Sequence, residues 1–365
     1  MHDYYLLGRS GLRVSRLALG TMNFGTGGFH AAYGRTEAQA EQIFRRYLEA
    51  GGNFIDTADF YTAGESEEIL GRLIASAGVR DRLVLTSKFT NTVDPTDPNA
   101  GGNGRKHIIR ALDASLRRLG TDYLDLYLLH TWDRITPVEE VVRTFDDLVR
   151  AGKIRYAGLS DVPAWYAARA QSYAEANALT PMISLQLPYS LVARGIEPEF
   201  LPMAQSLGMG LTAWSPIGGG LLTGKYRRTE DGLSGAGRLA AGANGLPVTD
   251  RDWQVIDALE SVAGELGRSM AQVAINWVAT QPAVGSVILG ASSPEQVDSN
   301  MTALDFEIPR ELRARLDEAS AVPLTPPYSM FTPQYQSWIV NPGLGIGDKP
   351  AGYAPPVWNG APSAA

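Results

Sequence analysis

Ionisable side chains end three consecutive apolar segments of the sequence. Asp56 ends the segment NFID, Lys88 ends LVLTSK and His130 ends LDLYLLH, while Tyr61 follows shortly after Asp56. A lysine cation favours the ionised form of a nearby phenol, so we expect Lys88 to lower the pKa of Tyr61 and make it an acid for a carbonyl oxygen. Asp56 supplies the counter-charge to Lys88, and a neutral His130 orients the carbonyl by a hydrogen bond.

Each of these residues also has a purely structural interpretation. A charged residue at the end of a buried strand often caps the next helix or forms a structural ion pair. The catalytic interpretation requires that the segments are parallel strands whose ends meet at one place. The fold class therefore decides between the two interpretations.

Short apolar segments alternate with segments of helical periodicity, as in parallel βα units. Eight segments are predicted as strands: 16–20, 53–56, 83–88, 124–130, 154–160, 182–187, 210–214 and 286–288. Eight such units close into an α/β fold of the (β/α)8 or TIM-barrel type, in which functional residues lie at the C-terminal ends of the strands. A doubly wound sheet is the competing fold. It calls for a G-x-G-x-x-G turn, whereas the first segment is followed by GTMNFG.

Three segments lie outside this repeat. We predict a hairpin over residues 4–14, a Gly-rich loop over about 217–250 that clamps a cofactor, and a Pro-, Gly- and aromatic-rich irregular tail over 322–365. Residues 1–321 are predicted to form a single barrel domain.

Composition excludes several classes of protein. The net charge of −7 and the pI near 5.3 argue against nucleic acid as a partner. The 365-residue chain has no cysteine, hence no disulfide or thiolate metal site, and we expect no metal ion. Neither a signal peptide nor an apolar run of membrane-spanning length is recognisable, which predicts a cytoplasmic protein that does not bind membranes. We expect a monomer or a homo-oligomer.

The motifs NFIDTADFY, TSKF and LYLLH resemble those of the aldo-keto reductase superfamily, whose Asp, Tyr, Lys and His tetrad matches Asp56, Tyr61, Lys88 and His130. The resemblance runs from about residue 6 to 304. The segments LVRAGKIRYAGLSD and PAWYAARA are similar to those of the fungal and bacterial branch of norsolorinic acid reductases and aryl-alcohol dehydrogenases, and Lys225 and Arg238 match basic residues of the branch that includes potassium-channel beta subunits. The resemblance implies NAD(P)H-dependent reduction of an aldehyde or ketone to an alcohol, with the hydride from the nicotinamide and the proton from Tyr61.

The resemblance also implies a cofactor site at the later strand ends. Its predicted members are Met22, Asp56, Ser160, Asp161, Gln186, Trp214, Ser215, Pro216, Ile217, Gly218, Gly219, Lys225, Arg238, Gly290, Ser292, Gln296 and Asn300. Relatives commonly carry Asn or Arg at position 161 and Arg at position 292. Position 292 carries a serine in place of that arginine. Ser292, Lys225 and Arg238 together nevertheless suit NADP(H) better than NAD(H).

A mainly neutral, aromatic rim is predicted for the substrate pocket. Its members are Phe24, Tyr61, Phe89, His130 and Trp132, with Met22, Asn23 and Tyr189 as further candidates. Such a rim suits a bulky, uncharged carbonyl compound.

Two other functions use the same barrel. In the first, Lys88 forms a Schiff base, as in barrel aldolases, although this leaves Tyr61, Trp214 and the Gly-rich loop unexplained. In the second, the chain is a non-catalytic NADP(H)-binding regulatory subunit. Turnover of NADPH with carbonyl compounds distinguishes that sensor from an enzyme.

Overall fold

A closed barrel of parallel strands forms the body of the protein. The computed structural model describes residues 3–28, 33–229, 232–235, 237, 239 and 248–340. The strands of this part are β1 (Tyr4–Leu6), β2 (Arg13–Ser15), β3 (Leu17–Gly20), β4 (Phe54–Asp56), β5 (Val84–Phe89), β6 (Leu124–Leu129), β7 (Ile154–Ser160), β8 (Met182–Pro188), β9 (Gly210–Trp214), β10 (Tyr226–Thr229), β11 (Gly232–Gly235) and β12 (Val284–Leu289). The barrel closes in the order β12, β3, β4, β5, β6, β7, β8, β9, which confirms the predicted (β/α)8 barrel.

Helices surround the barrel. They are α1 (Glu37–Glu49), α2 (Glu65–Ala77), α3 (Arg105–Leu119), α4 (Val138–Arg150), α5 (Ala164–Ala176), α6 (Phe200–Leu207), α7 (Asp250–Leu266), α8 (Met270–Ala279), α9 (Pro294–Met301), α10 (Arg310–Ala319) and α11 (Pro333–Val340). Local sequence signals determine where several of these helices begin or end. The Thr36 side chain accepts from the Gln39 backbone N–H in a capping box at the start of α1, and Gly152 follows α4 with φ 73°. No helix among the described residues is long and apolar enough to cross a membrane.

Side-chain alternation along the strands separates two apolar layers. The cluster inside the barrel includes Phe54, Val84, Leu126 and Leu128. Leu85, which directly follows Val84, belongs instead to the layer between strands and helices. Because successive side chains of a strand point to opposite faces, the residues two positions further on also face inward. The strand ends at one rim of the barrel, which we call the mouth, therefore carry inward-facing side chains.

The β1–β2 hairpin closes the opposite end of the barrel. Leu7, which follows β1, is fully buried in the interior cluster. The next residue, Gly8, has φ 58°, and a Cβ atom there would lie 2.3 Å from the Ile183 carbonyl oxygen. Only glycine accommodates both this conformation and this close approach.

The loop after β9 and the tail contain short regular elements. A 3-10 helix spans Gly218–Thr223, and β10 pairs with β11. In the tail, which the sequence predicts as irregular, the described residues include α11. Residues 230, 231, 236, 238, 240–247 and 341–365 lie outside the described part. The cofactor-clamping role of the loop and the domain boundary at 321 stay predictions.

We predict that Gly8→Ala lowers the free energy of unfolding by at least about 2 kcal/mol, because the new Cβ meets a carbonyl oxygen and the backbone is left-handed. Gly11→Ala is the matched control, since nothing lies within 4 Å of a Cβ at that position. Urea unfolding followed by circular dichroism measures both variants. Equal midpoints for the two variants would contradict this account of the hairpin.

Candidate functional site

Three of the four predicted catalytic side chains point into the mouth because side chains alternate between the two faces of a strand. Asp56 lies two residues beyond the inward-facing Phe54, and His130 lies two beyond Leu128. Lys88 lies four residues beyond the inward-facing Val84 and is 0% exposed. The alternation that fills the barrel with apolar side chains thus also brings the ionisable groups together.

The Lys88 ammonium group is the centre of the site. Its Nζ donates to Asp56 Oδ2 at 2.7 Å, to the Thr57 carbonyl oxygen at 2.7 Å and to the Tyr61 hydroxyl at 3.2 Å. Burial lowers the pKa of Lys88, but the charge of Asp56 and the hydrogen bonds to Asp56 and Tyr61 outweigh burial, so that the pKa is raised overall. All three ammonium protons have acceptors, and Lys88 remains a cation.

Tyr61 departs from one expectation. Burial raises its pKa above the ordinary value, and the field of Lys88, which acts in the opposite direction, does not offset burial. The prediction of a lowered pKa is therefore wrong for the structure as it stands, because a sequence carries no direct measure of desolvation. Tyr61 is a phenol, and hence a proton donor, at neutral pH.

His130 is a neutral group beside this phenol. Burial, reinforced by the charge of Lys88, holds its pKa well below the ordinary value. Its ring lies edge-on to the ring of Tyr61, with centroids 5.8 Å apart, and 5.2 Å from that of Phe60. Within the described part of the chain, the buried Nδ1 has no hydrogen-bond partner. A neutral imidazole at this position agrees with the predicted role of orienting a carbonyl.

Gln186 joins the same network from β8. Its Nε2 donates to Asp56 Oδ1 at 2.8 Å, so both oxygens of the Asp56 carboxylate are engaged. The sequence predicts Gln186 as a cofactor ligand only. In the structure it also fixes the orientation of Asp56.

Asp59, in the segment before Tyr61, belongs to a buried acidic cluster that the sequence analysis missed. Glu67 accepts from Ser87 Oγ at 2.5 Å and from Arg118 Nε at 2.8 Å, and Glu67 is 0% exposed. Asp59 is buried nearby, and burial, together with the charge of Glu67, raises its pKa well above the ordinary value. The guanidinium of Arg118 forms a salt bridge with Glu67, and its charge acts against the rise in the pKa of Asp59. These residues have no common sequence motif, because they come from α2, α3, β5 and the loop after β4.

Ser160, Asp161 and Trp214 lie together at the ends of β7 and β9. The buried Ser160 Oγ has no hydrogen-bond partner among the described residues. Asp161 Oδ1 accepts from Trp214 Nε1 at 3.2 Å. Burial raises the pKa of Asp161 to about 6, and the hydrogen bond from Trp214 and the charge of Lys88 act against this rise.

The Gly-rich turn after β9 has a left-handed backbone at Ser215, Gly218, Gly219 and Gly220. The Gly218 N–H donates to the Ser215 carbonyl oxygen at 2.9 Å, and the Gly219 N–H donates to Ser215 Oγ at 3.0 Å. Ser215 therefore accepts from the backbone N–H groups of both glycines, which the sequence predicts as members of the cofactor site. Among the other predicted ligands of this turn, Pro216 has no N–H to offer and Ile217 precedes the 3-10 helix.

Lys225 reaches the same turn. A Cβ atom at Gly220 would lie only 3.3 Å from Lys225 Nζ, so Gly220 leaves room for the ammonium group. No salt bridge of Lys225 occurs in the part of the chain that the structure describes. Arg238, the second predicted cation of this loop, lies outside the described residues.

The segment after β12 carries the remaining predicted ligands. Gln296 Oε1 accepts from the Ser292 N–H at 2.8 Å at the start of α9. Gly290 has open space where a Cβ would be, and Asn300 lies further along α9. The sequence analysis missed Arg35, whose Nε donates to the Ser292 carbonyl oxygen at 3.1 Å. No local signal marks it, since the two residues are 257 positions apart.

The predicted substrate rim is only partly found at the mouth. Phe89 is fully buried and packs against Tyr127 and Phe145, because it follows the inward-facing Lys88 and points to the helix layer. Tyr189 is also buried; it packs on Trp277 and donates to Glu197. Neither position fits a substrate wall.

The other rim candidates differ in exposure. Phe24 is fully buried, while Met22 and Asn23 are partly buried, and the Asn23 amide donates to the Ala291 carbonyl oxygen. Trp132 is partly buried, and its ring contacts Trp165 edge-on at 5.5 Å. Its backbone N–H donates to the Asp161 carbonyl oxygen, so Trp132 borders the mouth.

A groove of about 800 Å³ lies at the closed end of the barrel, away from the tetrad. Arg9 and Arg16 line it together with the last residues of α6 and α8. The C-terminal ends of helices attract cations. The guanidinium of Arg16 lies over the ring of Tyr5, 5.0 Å from its centroid. Among the described residues, no group of three or more His, Asp or Glu side chains forms a metal site.

Comparison with known proteins assigns the barrel to a class of oxidoreductases. The profile of the Aldo/keto reductase family matches residues 16–321. The chain belongs to this family, which confirms the resemblance seen in the sequence and the reaction class it implies, reduction of a carbonyl group with a nicotinamide cofactor.

Individual relatives cover most of the chain. It is 35% identical over 346 residues to the uncharacterized oxidoreductase YrpG of Bacillus subtilis, an alignment that covers 92% of this chain and 100% of the relative. It is 33% identical to norsolorinic acid reductase of Aspergillus flavus, over 91% of this chain and 84% of the relative. It is 37% identical to a probable voltage-gated potassium channel subunit beta of Oryza sativa, over 88% of this chain and 96% of the relative.

The buried cluster around Glu67 leads to a stability prediction. We expect Arg118→Met to lower the free energy of unfolding by about 3 kcal/mol, because the buried Glu67 loses its charged partner. Arg117→Met, one residue away on an exposed position of α3, serves as the control. Urea unfolding measures both changes. Equal, small losses in the two variants would show that the Glu67 pair contributes little.

Proposed function

We propose that this protein reduces an aldehyde or ketone to an alcohol at the mouth of the barrel, with NADPH as the reductant. The observation that carries the proposal is the set of hydrogen bonds from Lys88 Nζ to Asp56, Thr57 and the Tyr61 hydroxyl. It joins a proton donor to a cation that stabilises the phenolate left after proton transfer.

The four side chains divide the acid chemistry between them. Tyr61 delivers its proton to the carbonyl oxygen as negative charge develops there. Lys88 stabilises the resulting phenolate, and Asp56 keeps Lys88 charged and in place. The neutral imidazole of His130 hydrogen-bonds the carbonyl oxygen and orients it toward Tyr61.

The residues around the mouth fit a nicotinamide dinucleotide. The unpartnered Ser160 Oγ, with Asp161 and Gln186, would hold the carboxamide, and the Trp214 ring would support the nicotinamide face. Lys225 beside Gly220 would hold a phosphate. When bound, the reduced nicotinamide supplies the hydride. Met22, Gly290, Gln296 and Asn300 stay predicted contacts.

NADP(H) is the cofactor that we propose over NAD(H). The arginine that relatives carry at position 292 is a serine here, but Arg35 places its guanidinium beside the Ser292 backbone. An arginine there supplies the positive charge that an additional phosphate on the adenosine requires.

Two other functions have weaker support. A Schiff-base mechanism requires a neutral Lys88 amine, whereas Asp56 and Tyr61 hold Lys88 as a cation with a raised pKa. A regulatory role agrees with the similarity to the rice channel subunit, but it does not account for a complete proton-delivery network.

We propose a bulky, uncharged aldehyde or ketone as the substrate class, and the similarity to norsolorinic acid reductase supports reduction as the direction of the reaction. Trp132 at the mouth suits such a compound. The cytoplasmic location and the choice between monomer and homo-oligomer stay predictions from the sequence.

We predict that Tyr61→Phe retains NADPH binding and reduces carbonyl turnover at least about a thousandfold, because the proton donor is removed. Tyr5→Phe is the control, since Tyr5 lies on the hairpin at the closed end. Oxidation of NADPH across a panel of aldehydes and ketones is followed by absorbance. Tight NADPH binding by the wild-type protein without turnover of any compound would favour the regulatory function instead.

We predict that Arg35→Met weakens NADPH binding about tenfold and leaves NADH binding nearly unchanged, because only NADPH carries the additional phosphate. Arg45→Met, on an exposed position of α1, controls for the loss of a surface charge. Calorimetric titration gives both dissociation constants. An equal loss of affinity for the two cofactors would exclude selective contact with that phosphate.

A further inference from the structure

Asp161 is fixed at the mouth by contacts on several sides. Its carboxylate accepts from Trp214 Nε1 at 3.2 Å. Its backbone N–H donates to the Gln186 carbonyl oxygen, and its own carbonyl oxygen accepts from the Trp132 N–H, both at 3.3 Å. With φ 42°, its backbone is left-handed, a conformation that aspartate adopts more readily than most residues. The carboxylate is therefore held beside the indole ring.

Among the residues that the structure describes, no cation forms a salt bridge with Asp161. The positive charge of Lys88 acts on Asp161, but Lys88 already forms a salt bridge with Asp56. The other groups from neighbouring elements are the phenol of Tyr61, the neutral imidazole of His130, and the uncharged Gln186 and Trp214. A carboxylate without a salt-bridge partner in the described part of the chain thus lies next to the ring predicted to support the nicotinamide.

This charge acts differently on the two forms of the cofactor. The reduced nicotinamide ring is neutral, whereas the oxidised ring carries one positive charge. A carboxylate a few ångströms away attracts the oxidised ring through a medium of low effective dielectric constant and leaves the reduced ring unaffected to first order. Asparagine keeps the shape of this side chain and one oxygen that can accept from Trp214 Nε1, but it lacks the charge.

We propose that Asp161 makes the site prefer the oxidised cofactor and thereby makes the bound reduced cofactor a stronger hydride donor. The inference rests on the proposed function. In the reduction, a hydride with its electron pair passes from the reduced ring to the carbonyl carbon, and the Tyr61 proton passes to the carbonyl oxygen. The ring is left with one positive charge, which Asp161 stabilises as it develops. The same attraction retains the oxidised cofactor after the alcohol has formed.

Asp161→Asn in the full-length protein tests the proposal. Dissociation constants of NADP⁺ and NADPH are measured by calorimetric titration at neutral pH, without a carbonyl substrate. We expect the ratio of the NADPH constant to the NADP⁺ constant to fall by about tenfold to a hundredfold in the variant. Asp113→Asn, whose carboxylate pairs with Lys153 on the outside of the barrel, leaves the ratio unchanged.

A pH series on the wild-type protein provides an independent measurement. The pKa of Asp161 is raised to about 6, so the carboxylate is charged above this pH and is neutralised below it. The ratio should therefore rise with pH, by at most about tenfold per pH unit, and should stay flat in Asp161→Asn. The phosphate groups of the two cofactors titrate alike and cancel in the ratio.

The outcomes separate this inference from the proposed function. If both nucleotides bind and the ratio is the same in wild-type and Asp161→Asn protein, the role of Asp161 is refuted and the reductase proposal stands. If the wild-type protein binds neither nucleotide, the reductase proposal fails, and the role of Asp161 with it.

Discussion

A fully buried lysine ammonium group is the constraint on which the site depends. Removing an ion from water costs several kcal/mol even after relaxation, and the cost is offset only by close partners with good geometry. Lys88 has three such partners, the Asp56 carboxylate, the Thr57 carbonyl oxygen and the Tyr61 hydroxyl. Each of them must lie within hydrogen-bond distance of the ammonium group. Gln186 then completes the coordination of Asp56. The positions of the catalytic groups thus follow from the requirement to stabilise one buried charge.

Strand periodicity made much of this predictable from the sequence. The eight apolar segments correspond to the barrel strands, with bounds that differ by a few residues, and their terminal side chains meet where the barrel topology requires. The same periodicity, applied strictly, would have excluded Phe89 from the substrate pocket. A residue next to an inward-facing lysine in a strand must face outward, and Phe89 packs on Phe145 of α4.

Other features depend on contacts between distant parts of the chain. The raised pKa of Tyr61 reflects desolvation by everything around the phenol, which no single motif records. Arg35 meets Ser292 only because β3 and β12 are neighbours in the closed barrel. The Glu67 cluster similarly requires α2, α3 and β5 to be packed together. For such features the sequence gives the residue types but not their neighbours.

The hairpin plug at the closed end also has a kinetic consequence. With Leu7 filling the barrel interior, the mouth is the route by which both cofactor and substrate reach Tyr61. Under the proposed function, two molecules then share one entrance, and the molecule that lies deeper has to enter first and leave last. Each turnover would end with the departure of that molecule. If the cofactor is the deeper one, an attraction between Asp161 and its oxidised form would slow this last step.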